Sequence, residues 1–188
     1  MERRSLSGIP SAAVCIGLGA LLSAPLLIAR HVHEHLHDPA GVAVKAEIEP
    51  LSFFIGQWNC EGEFVASKKP IASHIAVVPD LDGSWLTFRW DDKTPNQFHA
   101  LELWGFDKTT KHFTNFIHDN FGGARLFDSP GWDGDTLVWT GDVLASPPAL
   151  NQRFVIERKP LTREFVISWQ VRKPDADWTT GDRLTCRP

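Results

Sequence analysis

The chain has 188 residues, 19 Lys and Arg against 23 Asp and Glu, and no basic run, so it lacks the clustered positive charge that nucleic-acid phosphates require. Its length suits one domain with a substantial core and offers no sign of two. Eight Trp and 12 Phe beside no Tyr fit either a β-rich core or an aromatic-lined cavity.

Arg3 and Arg4 precede a charge-free stretch from Ser5 to Ala29, the layout of a secretion signal or an uncleaved anchor over residues 1–30. The apolar part approaches the roughly 20 residues that span a bilayer, and no small-x-small cleavage site follows, which leans toward an anchor. With the arginines inside, the rest of the chain faces the outer, oxidising side, in the periplasm or secreted, with a membrane partner only if the segment stays uncleaved. Residues 31–50 read as a flexible, His-rich tether. Within it His31, His33, His35 and His37 are weak metal-ligand candidates, because imidazole and carboxylate alternate there.

The globular domain is expected over residues 51–188. Leu51 to Ile55 is too apolar for a linker and too short for an ordinary helix, so it reads as a plug against the core, with Gly56 at the corner. The next strand alternates Trp58, Cys60 and Phe64 against Gln57, Asn59, Glu61 and Glu63. A plug followed by Gly-x-Trp resembles the start of the lipocalin and fatty-acid-binding protein superfamily of ligand-binding barrels.

Onward, β-like runs fall at about 56–66, 71–78, 84–91, 98–106, 112–118, 123–129, 136–144, 152–159, 164–172 and 178–187. Asp82-Gly83 and Asp133-Gly134 supply tight turns, and Lys159-Pro160 and Lys173-Pro174 end strands. Connections this short make sequence neighbours sheet neighbours, and pairing the first strand with the last removes both edges. The expected fold is therefore all-β: a ten-stranded antiparallel up-and-down barrel of lipocalin or calycin type. Closure places Cys60 beside Cys186, and an oxidising compartment would let them form a disulfide.

Trp104-Gly105-Phe106-Asp107, Ser129-Pro130-Gly131-Trp132-Asp133-Gly134-Asp135 with the strand after it, Trp178 and Cys186 look like a bacterial family of secreted lipocalin-like domains of unknown function, over roughly Leu51 to Arg187. That resemblance implies a ten-stranded barrel and no established reaction. Nitrobindin, a haem barrel acting on oxidised nitrogen species, is also similar in its Gly-x-Trp start, which implies an axial histidine late in the barrel. The last histidine here is His118, so haem is disfavoured.

Ten strands enclose more space than their side chains fill, so a cavity is expected, lined by Trp58, Phe88, Trp90, Trp104, Phe116 and Trp169. Glu102 and His118 are its expected polar contacts, each sharing an alternation face with aromatic residues. Arg89, Arg125 or Arg153 could grip a carboxylate, although Glu102 and an arginine could equally form an internal salt bridge. The expected function is extracytoplasmic binding of a small apolar or amphipathic molecule. The alternative is an enzyme using Glu102 and His118 as an acid–base pair. No nucleophile elbow, phosphate loop or Cys-x-x-Cys supports hydrolase, kinase or zinc-finger chemistry.

Overall fold

The computed structural model describes residues 42–93, 96–143 and 150–188. The apolar segment of residues 1–30 and the four-histidine stretch lie outside the described residues. Among the described residues no helix is long and apolar enough to cross a membrane.

A 3-10 helix at Glu49–Phe54 leads into β1 (Gly56–Phe64), β2 (Pro70–Asp80), β3 (Trp85–Asp92), β4 (His99–Asp107), β5 (His112–Asp119) and β6 (Ala124–Ser129). There follow the two-residue β7 (Trp132–Asp133), then β8 (Thr136–Val143), β9 (Asn151–Lys159), β10 (Glu164–Arg172) and β11 (Thr179–Arg187). All pairings are antiparallel between neighbours, β6 bonds β8 across the short β7 hairpin, and β1 pairs with β11. The ten long strands thus close into a barrel in meander order, as the short connections require. The turns use the expected chemistry: Asp82 and Gly83 sit at φ 56° and 73°, and Gly134 at φ 59°.

Closure sets Cys60 directly opposite Cys186, and the two form a disulfide with Cα atoms 4.0 Å apart. Side-chain alternation decides what else the inside holds. On β1, Trp58 and Cys60 are buried, and on β2 Ile71, Ser73, Ile75 and Val77 are, while their neighbours face outward.

One end of the barrel is packed solid. Phe54 of the 3-10 helix meets Phe88, Trp104 and Phe165 inside and stacks on Trp132 at a centroid distance of 5.7 Å. The Trp58 indole N–H donates to the Phe54 carbonyl at 2.6 Å, and that of Trp132 donates to the Pro50 carbonyl at 2.8 Å. The plug is thereby tied at both of its ends, and each large apolar side chain it buries contributes roughly 1.5–3 kcal/mol.

The packed body begins earlier than Leu51. Lys45 N–H donates to the Gly83 carbonyl and Ile48 is 1% exposed, so the end of the expected tether docks on the barrel. Val44 and Ile48 supply the apolar contact that this segment's polar neighbours obscure in the sequence.

Candidate functional site

Above the packed end, the barrel encloses a cavity of about 260 Å³. The strand ends around it lead to the β1–β2, β3–β4, β5–β6 and β10–β11 connections, opposite the plug. Apolar walls come from Phe64, Ile71, Ile75, Phe88, Trp90, Phe98, Ile117, Phe154, Ile167 and Trp169.

The polar groups form two levels. At mid-barrel, Glu102 is 8% exposed, and its Oε2 accepts hydrogen bonds from Trp104 Nε1 and Asn115 Nδ2, each at 2.8 Å. Register explains the grouping: Trp104 lies opposite Asn115 and Glu102 opposite Ile117, so these four side chains share the inner face. Burial raises the Glu102 carboxyl above the usual carboxylate range, opposed by those two donors and by the charge of Arg125. Trp139 of β8 completes this level, 4.8 Å from Trp104 between ring centroids. Its Nε1 and the Oδ1 of Asn115 are buried without a hydrogen-bond partner among the described residues.

Nearer the strand ends, Asp92 accepts from Ser73 Oγ at 2.5 Å, Trp90 Nε1 at 2.7 Å and Asn96 Nδ2 at 2.6 Å. Asp182 also lines the cavity, its pKa raised to about 6 by burial, opposed by the Trp169 N–H and assisted by the charge of Asp92. Trp169 is positioned by its indole N–H, which donates to Gln152 Oε1 at 3.1 Å. The register shift at Trp169/Gln170 leaves Gly181 as the extra residue of β11. A Cβ there would fall about 2.5 Å from the Trp169 ring, so glycine makes room for the indole.

The expected site residues divide accordingly. Phe88, Trp90, Glu102, Trp104 and Trp169 line the cavity. Trp58 points inward but is packed against Phe165 and Phe53 in the solid end and takes no part in the cavity wall.

Phe116 and His118 correct the expectation for β5. Phe116 is 39% exposed and His118 is exposed, both on the outer face, opposite Leu103 and Leu101 of β4. The inward residues of this strand are Phe113, Asn115 and Ile117. A buried asparagine interrupts the inner alternation and makes the Thr114–Phe116–His118 face look like the apolar one. Glu102 and His118 are therefore on opposite sides of the barrel wall and form no acid–base pair.

Of the three arginines, only Arg125 lines the cavity, and its partner is Asp119 at 3.0 Å, not Glu102. Arg89 pairs with Asp91 in solvent, and Arg153 lies over the Trp178 ring. Asn115, Trp139, Asp92, Gln152 and Asp182 were not singled out by sequence. Asn115, Asp92, Gln152 and Asp182 leave only the trace of a polar residue on an otherwise inward-facing row, whereas Trp139 alternates with the buried Leu137.

Among the described residues the cavity wall contains no histidine and the two cysteines are joined to each other, and the chain has no tyrosine and a single methionine at position 1. These residues do not fit a haem, which needs an imidazole, thiolate, thioether or phenolate ligand. Among the described residues no group of three or more His, Cys, Asp or Glu could hold a metal ion.

Neither a family model nor a curated protein matches the chain. Among solved structures, the crystal structure of Rv2717c from M. tuberculosis is similar, with a TM-score of 0.54 and 11% identity, covering 77% of this chain and 98% of that one. At that identity the likeness concerns the fold: this chain shares a closed antiparallel β-barrel with Rv2717c.

Proposed function

We propose that the domain is a lipocalin-like container that binds a small amphipathic molecule outside the cytoplasm. The observation that carries this reading is the cavity of about 260 Å³, walled by aromatic and branched side chains around a few convergent polar groups. Such a combination of apolar wall and sparse polar contacts is the usual composition of a small-molecule site. The Cys60–Cys186 disulfide is consistent with an oxidising compartment. An N-terminal segment that carries the chain across a membrane, as a signal or an anchor, completes the proposal.

Native mass spectrometry of the protein from its own source tests it. The expected spectrum contains a one-to-one complex with a low-mass organic species, absent from an Ile117→Trp variant in which the indole occupies the cavity. Identical bare masses for both, with no uptake of added naphthalene by the wild type, would overturn the reading.

A further inference from the structure

The mid-barrel polar groups of the cavity are the ones that fold stability alone explains least. Asn115 is 1% exposed and Trp139 fully buried, yet Asn115 Oδ1 and Trp139 Nε1 each lack a hydrogen-bond partner among the described residues, and both residues line the cavity. Buried polar atoms are nearly always paired, because leaving one unmade forfeits its hydration without return. One of these atoms is an acceptor and the other a donor. Beside them Glu102 receives both of its hydrogen bonds on Oε2, from Trp104 and Asn115.

We infer that this level is the head-group subsite of the cavity: it takes an uncharged group that both accepts from Trp139 Nε1 and donates to Asn115 Oδ1, such as a primary amide or a hydroxyl, with the ligand's apolar body against Phe88, Trp90 and Trp169. The inference rests on the reading that the cavity holds a small molecule and names the chemistry of that molecule's polar end.

The neighbourhood disfavours a charged head. An anion would sit against the Glu102 carboxyl, and a cation would have to shed its water in a wall of aromatic rings beside a carboxyl that burial keeps toward its neutral form. A neutral donor–acceptor group pairs both orphan atoms without introducing a charge. The one nearby guanidinium, Arg125, is already held by Asp119.

Equilibrium dialysis with a matched series tests the assignment on the whole protein: naphthalene, 2-naphthamide, 2-naphthoate and 2-naphthylmethylammonium, which share one body and differ in the head. The expected result is that naphthalene binds, 2-naphthamide binds about tenfold tighter, as about one net hydrogen bond provides, and both ions bind more weakly than naphthalene. Trp139→Phe, which removes the indole N–H together with part of the ring, should bring the affinity of 2-naphthamide to within about threefold of that of naphthalene measured on the same variant, so that the ratio and not the absolute affinity is read. Should that variant fail to fold, the Trp139 indole N–H resonance of the wild type serves instead. It should move on addition of 2-naphthamide, well beyond any change with naphthalene.

Three results overturn the inference while leaving the container reading intact: naphthalene binding with no gain from the amide, an ion binding as tightly as the amide, or an amide advantage that survives Trp139→Phe. If no member of the series binds, the container reading fails and this one with it.

Discussion

Single residues decide whether this barrel is a filled core or a vessel. Asn115 is the pivotal one, because it occupies an inward position that an apolar residue would pack, and its Nδ2 is one of two donors to Glu102. Asn115→Ala leaves the buried carboxyl with a single donor and should cost about 1–3 kcal/mol, read from denaturant unfolding. A variant as stable as the wild type would show that the bond contributes nothing. Glu102→Gln keeps an oxygen for Trp104 and Asn115 to donate to, so the barrel should fold normally. Because burial raises the Glu102 pKa, ionising it costs stability as pH rises, and the variant's thermal midpoint should gain on the wild type toward alkaline pH.

Asp182 gives the same sign. Its folded pKa lies at about 6 against an ordinary 3.8, so between those values the native state binds more protons than the unfolded chain and stability falls as pH rises. At about 1.4 kcal/mol per tenfold, the full displacement corresponds to at most about 3 kcal/mol, and partial exposure leaves less. Asp182→Asn should therefore be the more stable protein at pH 7, with the difference vanishing near pH 3.5. A difference that grows toward low pH would contradict this account.

At the scale of elements, most of the barrel is legible because apolar residues alternate along its strands. Leu86, Phe88 and Trp90 of β3 and Phe165, Ile167 and Trp169 of β10 announce their inner faces, and Gly, Pro and Asp mark the turns. The plug is legible too, since five consecutive residues with four large apolar side chains need a core to meet. Strand β5 is not legible, because a polar residue on the inside and a phenylalanine on the outside exchange the apparent faces. A one-residue error of that kind inverts every side chain on the strand, and only the pairing of Trp104 with Asn115 and of Glu102 with Ile117 resolves it. The two-residue β7 also escapes, since Trp132-Asp133 reads as turn chemistry while its indole in fact stacks on Phe54.

The disulfide joins β1 to β11, the pair that seals the sheet, across a sequence separation of 126 residues. On the chain-entropy account a loop of that length stabilises the fold by about 4–5 kcal/mol. A Cys60→Ser, Cys186→Ser double variant should lose an amount of that order in urea unfolding. An unchanged midpoint would mean that the ladder alone holds the seam.

For the whole molecule, the plan is a barrel packed at one end and hollow in the other half, with its polar groups at two depths. Sequence conveys the vessel, since ten strands enclose more than their side chains fill. It does not convey the contents, because Asp92, Asn115, Trp139 and Asp182 lie on four non-adjacent strands and come to line one cavity only when the barrel closes. The same holds for His118, whose chemistry looked useful until closure placed it on the outer wall. An N-terminal reporter fusion should find the proposed leader of residues 1–30 membrane-directed and the barrel outside the cytoplasm. A fusion retained in soluble form in the cytoplasm would contradict that part of the proposal.

The claim on which the rest depends is that the hollow half accepts a molecule, and equilibrium dialysis of naphthalene against the wild type and Ile117→Trp tests it most directly. The account predicts saturable one-to-one uptake by the wild type and little or none by the variant, whose indole would occupy the space beside Glu102 while near-ultraviolet dichroism shows the barrel intact. Absent uptake by the wild type, or equal uptake by a folded Ile117→Trp protein, would contradict it.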